Sequence, residues 1–144
     1  MIRRGVLGAA MVALVFTGCD TMTPEEVALN DVVRSYSAQL FMTTVGGATT
    51  DQLARGATLT MTLSADRTTS GRLFVPGGAE NGGDLDVSLA GTFSFDDARD
   101  AVAFSLPADT FLRDMTFTAG KLTGYLTLAS EETFGGTIVR VVLR

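Results

Sequence analysis

The side chains of this chain that could do chemistry are mainly carboxylates, because its 144 residues include 16 Asp or Glu and no His. The acids that stand close together in sequence are Asp84 with Asp86, Asp96 with Asp97 and Asp100, and Asp109 with Asp114. Paired carboxylates can carry out glycoside hydrolysis or other acid–base reactions. Aspartate is also favoured in turns, where it hydrogen-bonds its own backbone. The middle group lies in the turn DDARD and the first group shares an outward strand face, so we interpret these acids as solvated.

The sequence also lacks residues that other kinds of reactive site require. A Ser or Thr nucleophile needs a base, but the chain has no His and its single Lys, Lys121, is predicted in a turn. The loop GGAENGGDLD (77–86) offers oxygen ligands from Glu80, Asn81, Asp84 and Asp86, so calcium is an alternative there. The loop lacks the EF-hand spacing, and its Gly-Gly pairs are typical of a flexible hairpin tip. The sequence therefore predicts no enzyme, no metal and no cofactor.

The N-terminus has the organisation of a targeting segment. Arg3 and Arg4 form a basic start, and the apolar run GVLGAAMVALVF (5–16) follows. This run has 12 residues, whereas a membrane-spanning helix needs about 20. A cleaved signal peptide is therefore favoured over a membrane-spanning helix. The only cysteine of the chain, Cys19, comes almost directly after the apolar run.

The stretch Phe16, Thr17, Gly18, Cys19 resembles the bacterial lipoprotein signal, in which an apolar residue and two small residues precede the cysteine. The resemblance implies that residues 1–18 are removed and that Cys19, now first, carries a diacylglyceryl group on its sulfur. Two or three acyl chains anchor a protein stably. The protein would then be held at the periplasmic or cell-surface face of the bacterial envelope. The alternative is an ordinary secretory signal with a cysteine near the cleavage point.

The charge of the chain argues against a nucleic-acid partner. The full chain has a formal net charge of −5. Loss of residues 1–18 removes Arg3 and Arg4, which leaves 9 basic against 16 acidic residues and a net charge of −7. Such a chain is repelled by phosphate backbones and by anionic lipid surfaces. The predicted membrane contact is therefore the lipidated N-terminus alone.

Hydrophobic residues alternate with polar ones through most of the mature chain. In ATLTMTLS (57–64), the odd-numbered positions are apolar and the even-numbered positions are Thr or Ser. Such alternation predicts an antiparallel strand with one face in water. The eight such runs are YSAQLFMTTV, ATLTMTLS, GRLFVP, DLDVSLAGTFSF, AVAFSL, MTFT, LTGYLTLA and TIVRVVLR.

Short Gly-, Asp- or Asn-rich turns separate these runs, which is typical of an antiparallel meander. Eight amphipathic strands can remove their edges by closing into a barrel. We therefore predict an all-β, eight-stranded antiparallel meander barrel over residues 36–144, with a two-sheet β-sandwich as the alternative. Residues 19–35 are predicted to form the lipidated N-terminus and a tether, followed either by one short helix that starts at Thr23 and Pro24 or by a plain connector.

One connector departs from the polar pattern of the others. In PADTFLRD (107–114), Phe111 and Leu112 are apolar. Asp109 can cap a single helical turn, so that Phe111 or Leu112 folds over an end of the barrel. Arg113 and Asp114 could pair with each other or contact a partner. We favour a structural end-cap over a binding epitope.

The arrangement of runs resembles the lipocalin-like, or calycin, group of small barrels. SYSAQLFMTTVGG is similar to the first strand and turn of such domains, and GTFSF and VVLR are similar to middle and closing strands. The resemblance implies a cup that takes a small apolar or amphipathic molecule. The predicted lining residues are Leu59, Met61, Leu73, Leu85, Val87, Phe93, Phe104 and Leu126.

For any one of these residues a place in a solid core is favoured, because an eight-stranded barrel is just wide enough to be filled by side chains or to hold one ligand. The second hypothesis is therefore a filled barrel that serves as a structural or protein-interaction module of the envelope. Gly71, Gly91 and Gly124, predicted on inward faces, would leave room for a cavity. If their neighbours fill that room, the interaction module is favoured.

Overall fold

A computed structural model describes residues 25–122 and 124–144. The predicted signal peptide, Cys19 and the helix start at Thr23 and Pro24 lie outside the described residues. In chain order, the elements are α1 (Leu29–Val32), β1 (Ser35–Val45), β2 (Ala48–Asp51), β3 (Thr58–Leu63), β4 (Thr68–Val75), β5 (Leu85–Ser88), β6 (Gly91–Asp96), β7 (Ala101–Ser105), one 3₁₀ turn (Phe111–Asp114), β8 (Thr116–Leu122), β9 (Tyr125–Phe134) and β10 (Thr137–Leu143).

Eight of these strands form a closed barrel. Their order around it is β1, β3, β4, β6, β7, β8, β9 and β10, and every neighbouring pair is antiparallel. The barrel closes because β10 also pairs with β1, from Ala38 opposite Leu143 to Val45 opposite Thr137. The predicted eight-stranded antiparallel barrel is confirmed, and the β-sandwich alternative is wrong.

The remaining two strands, β2 and β5, extend barrel strands at one end. β5 pairs with the last four residues of β4, and β6 continues in the same register beside Thr68 and Thr69. β2 pairs with the last four residues of β1, whereas β3 pairs only with Ser35–Ser37 at its start. Residues 52–57 separate β2 from β3, so the two strands are one barrel strand interrupted by an excursion. We call the end that carries β2 and β5 the mouth, and the opposite end the lower end.

The alternation of apolar residues produces the core as predicted. In β3, Leu59, Met61 and Leu63 are buried while Thr58 and Thr60 are exposed. The buried hydrophobic residues form one cluster that runs from Val27 to Leu143 and draws on every barrel strand. The core therefore includes Val27 and Val32, which belong to the segment 19–35 predicted to precede the barrel domain.

The lower end is closed by the segment that contains α1. Val27 and Val32 are buried there, and the Tyr36 hydroxyl donates a 2.8 Å hydrogen bond to the Val32 carbonyl. Lys121 of β8 lies 3.5 Å from Asp31 and 3.8 Å from Glu25. The structure thus contains a short helix, but it is a single turn that begins at Leu29. Residues 25–28, predicted to belong to a helix that starts at Thr23 and Pro24, are not helical. The single turn fills this end of the barrel.

Two turns are shorter than the sequence pattern indicated. The residues AGK (119–121) are not a turn but belong to β8, where Lys121 pairs with Leu126 of β9. The stretch ADRTTSG (65–71), which separates the runs ATLTMTLS and GRLFVP and has the composition of a turn, is also mostly strand, because β4 already begins at Thr68. In both places small or polar residues occupy the outward positions of a strand. Their composition is that of a turn, so the sequence alone does not distinguish the two.

Gly71 allows β3 and β4 to approach each other closely. Its φ is +143°, and a Cβ placed on it would overlap the Thr60 carbonyl oxygen and the Met61 backbone. Gly120 of β8 provides a contrast, because the only atom near its Cβ direction is Thr127 Oγ1 at 3.7 Å. The close approach therefore requires glycine at position 71.

We expect Gly71→Ala to lower the free energy of unfolding by about 3 kcal/mol, because the methyl group forces the two strands apart. Urea denaturation measures the change. Gly120→Ala is the matched control and should change stability by less than about 1 kcal/mol. Equal effects of the two substitutions would contradict the proposed close approach.

Burial of Tyr36 predicts a loss of stability in alkali. Burial raises the pKa of the Tyr36 hydroxyl well above its usual value. The unfolded chain therefore ionises this hydroxyl first, so the free energy of unfolding is unaffected by it below about pH 10 and falls as the pH rises above that value. Tyr36→Phe removes this titration, and we expect that variant to lose less stability between pH 10 and 11, by up to about 1.4 kcal/mol. Tyr125→Phe is the control, since the Tyr125 ring is 58% exposed. Identical alkaline losses in wild type and Tyr36→Phe would refute the prediction.

Candidate functional site

Most of the predicted lining residues belong to the hydrophobic core of the barrel. Six of the eight are buried in the core, while Leu85 and Val87 of β5 are partly buried against it. The six buried residues are Leu59, Met61, Leu73, Phe93, Phe104 and Leu126. Phe104 packs edge-on against Phe117 with ring centroids 5.4 Å apart. Side chains therefore occupy the middle of the barrel.

The glycines predicted to leave room inside do not do so. A Cβ on Gly71 would meet the backbone of β3, and one on Gly91 would meet the Ser105 carbonyl oxygen and Leu106. Gly124 is exposed and has a φ of +80°, next to the start of β9. The prediction of space at these positions was wrong, because two of the glycines bring backbones together and the third is exposed.

A cavity does exist at the mouth, and we call it the mouth cavity. Its volume is about 260 Å³, and it is half-open to solvent. Of the eight predicted residues, Leu85 lines it. The complete lining is Phe41 and Thr43 of β1, Gln52 and Arg55 of the 52–57 excursion, Val75, Pro76, Gly77 and Gly78 at the end of β4, Leu85 of β5, Phe111 of the 3₁₀ turn and Val139 of β10.

The mouth cavity lies where strand pairing is interrupted. β1 pairs with β3 only up to Ser37 and with β2 only from Met42, so the excursion bridges the gap between them. Gln52 fixes the excursion in place: its backbone N–H donates to the Phe41 carbonyl at 2.8 Å, and its side-chain amide donates to Thr43 Oγ1 at 2.6 Å. The Arg55 and Ala57 N–H groups donate to the Gln52 carbonyl. Arg55 therefore stands on an ordered turn.

The 3₁₀ turn forms another wall of this cavity. Phe111 lies on Phe41 with ring centroids 5.4 Å apart, and Leu112 is fully buried. The predicted end-cap is thus present. The predicted cap at Asp109 is wrong, because the residue before the turn is Thr110 and it makes no side-chain cap hydrogen bond. Asp109 instead pairs with Arg113 at 2.8 Å.

A more open groove adjoins the mouth cavity, and we call it the outer groove. The two share Gly78, Leu85 and Phe111, and the outer groove has a volume of about 560 Å³. Its other lining residues are Ala79, Glu80, Asn81, Asp109 and Thr110. The Thr110 hydroxyl is buried without a hydrogen-bond partner among the described residues. A ligand that fills the mouth cavity can thus extend into the outer groove.

The acidic groups that the sequence places on a strand face (Asp84 and Asp86) and in a turn (Asp96) accept hydrogen bonds from nearby donors. Asp84 accepts a hydrogen bond from the Gly77 N–H, and Asp96 accepts one from the Ala98 N–H. Asp86 accepts one from Arg72 Nε at 2.7 Å, and this hydrogen bond lowers the pKa of Asp86. Such contacts agree with the interpretation of these acids as turn and ion-pair residues. The described residues contain no cluster of three or more potential metal ligands.

Sequence reasoning identified Phe111 as unusual but missed Thr43, Gln52 and Arg55. The available signal was the polar stretch DQLARG (51–56), which separates two strand-like runs. This stretch is longer than a two-residue hairpin turn. A tight turn at Gly46 and Gly47 already precedes it, between β1 and β2. Two turn-like stretches so close together indicate that a barrel strand is interrupted between them.

Across the described part of the chain, none of the helices has the length and apolar character needed to cross a membrane. In comparisons with family models, curated proteins and solved structures, no match to this chain is found. The lipocalin-like resemblance and the lipoprotein signal therefore stay predictions from the sequence.

Proposed function

We propose that this protein is a lipid-anchored lipoprotein of the bacterial envelope that binds a small amphipathic molecule and performs no catalysis. The observation that carries the binding role is the mouth cavity, whose apolar walls from β1, β4, β5, β10 and the 3₁₀ turn surround a few polar groups. Concave, mostly apolar sites with few polar groups are typical of small-molecule binding. The anchor is supported by the FTGCD sequence at residues 16–20.

The filled middle of the barrel favours a second candidate, the structural or protein-interaction module. The outer face of β1 and β10 supports it further, because Leu40, Met42 and Ile138 line a second cavity of about 260 Å³ there. This candidate needs no small ligand. Direct titration of the mouth cavity distinguishes the two functions.

The anchor predicts a specific mature N-terminus. Mass spectrometry of the protein purified from bacterial membranes should show a chain that begins at Cys19 with a diacylglyceryl group on the sulfur. Cys19→Ser should abolish the modification and release the protein from the membrane fraction, since stable anchoring requires the acyl chains. An unmodified, secreted wild-type product would show that the signal is an ordinary secretory one.

The binding role predicts that a neutral amphiphile enters the mouth cavity. The titration uses 1-octanol and residues 19–144 with the Cys19→Ser substitution, which retain the described core. We expect the methyl NMR signals of Val75 and Val139 to shift. Leu85→Ser should weaken binding about tenfold, because it removes an apolar wall.

Val87→Ser is the matched control for Leu85→Ser. Val87 lies two residues further along β5 and is partly buried, but it does not line the mouth cavity. Its substitution should therefore leave the affinity for 1-octanol unchanged. Absence of any shift in the unsubstituted barrel would refute the binding role and favour the interaction module.

A further inference from the structure

The polar groups of the mouth cavity are mainly hydrogen-bond donors. Among the residues that the structure describes, Arg55 is the only charged one that lines this cavity, and no carboxylate lines it. The Arg55 guanidinium offers five N–H donors. Gln52 uses one amide hydrogen on Thr43 Oγ1, which leaves its second amide hydrogen and the Thr43 hydroxyl hydrogen available. A ligand with acceptors and negative charge matches this set.

Arg55 is also available for such a ligand. Among the described residues, the ion pairs of the barrel involve Arg72, Arg99, Arg113, Lys121 and Arg140, but not Arg55. An anion can therefore bind without displacing a carboxylate. The chain has 16 acidic and 11 basic residues, so carboxylates outnumber cations. Arg55 differs from the paired cations of the barrel because it lies beside an apolar cavity and no described carboxylate pairs with it.

The remaining walls of the mouth cavity determine the apolar part of the ligand. Phe41, Val75, Leu85, Phe111 and Val139 are apolar. The cavity volume of about 260 Å³ equals that of about nine liquid water molecules, so it suits a molecule of about ten heavy atoms. A longer tail would pass into the outer groove beside Leu85 and Phe111.

We infer that the ligand of the mouth cavity is an amphipathic anion, whose negatively charged head group binds Arg55 and whose apolar tail packs against Phe41, Leu85 and Phe111. This assignment rests on the proposed binding function. It adds the chemical class of the ligand and a specificity-determining residue. Charge-assisted hydrogen bonds from arginine to an anionic oxygen supply the selectivity.

The test compares three probes at pH 7 by methyl NMR titration of residues 19–144 carrying Cys19→Ser. Octanoate has both the charge and the tail, 1-octanol has the tail alone, and acetate has the charge alone. We expect octanoate to bind at least tenfold more tightly than either of the other probes. Added salt should weaken octanoate binding while leaving 1-octanol binding unchanged.

Substitution of the arginine gives the second arm. Arg55→Gln should weaken octanoate binding about tenfold and 1-octanol binding much less, so that the preference for octanoate is lost. Retained binding of 1-octanol shows that the cavity is still formed. Arg99→Gln makes the same charge change in the turn after β6 at the lower end, where Arg99 is exposed, and should alter neither.

The possible failures are distinguishable. Equal affinities for octanoate and 1-octanol, or no effect of Arg55→Gln, would overturn the anionic class while leaving the binding function intact. Equal binding of acetate and octanoate would show that the tail is not recognised and would likewise overturn the inference. If none of the three probes binds, the proposed binding function itself is wrong.

Discussion

The antiparallel pairing of β1 with β10 is the interaction on which the remaining structure depends. Seven residues at the C-terminus of the chain pair with β1 from Ala38 to Val45, and this pairing turns a meander into a closed sheet. An open eight-stranded sheet would present two unpaired edges and one large apolar face to water. Closure satisfies the edge hydrogen bonds and buries that face in a single step. It also limits the interior to a width that side chains of ordinary size fill.

In this closed barrel, the mouth cavity lies where the strand ladder is incomplete. In the middle of the barrel, Leu73 is fully buried and Phe104 packs edge-on against Phe117. At the mouth, β3 loses its pairing with β1, and the 52–57 excursion and Phe111 replace a regular strand wall. The irregular segments thus form the candidate site, while the regular segments provide the support that holds them.

Much of this fold could be predicted from the sequence, whereas the site could not. Alternation such as Leu59, Met61, Leu63 fixes which side of a strand is apolar, and a repeated pattern of that kind has few architectures that bury it. The same alternation says nothing about whether an inward residue faces a neighbour or a void, so Leu85 could not be distinguished from Leu73. Lys121 was misplaced because small neighbours in a strand resemble a turn. The register break before β3 depends on pairing between distant segments, which local patterns do not encode.

The position of α1 gives the barrel a direction relative to its surroundings. The chain enters the core at Val27, at the lower end, and Cys19 precedes it by eight residues, which reach at most about 28 Å when fully extended. If Cys19 is the attachment point, as proposed above, the bilayer would lie beneath the closed end, and the net charge of −7 predicted for the cleaved chain would disfavour tipping of the barrel onto an anionic leaflet. The opening beside Arg55 and Phe111 then faces the aqueous compartment. A molecule would reach it by diffusion through water, and a lipid still embedded in the supporting membrane would have to leave the bilayer first.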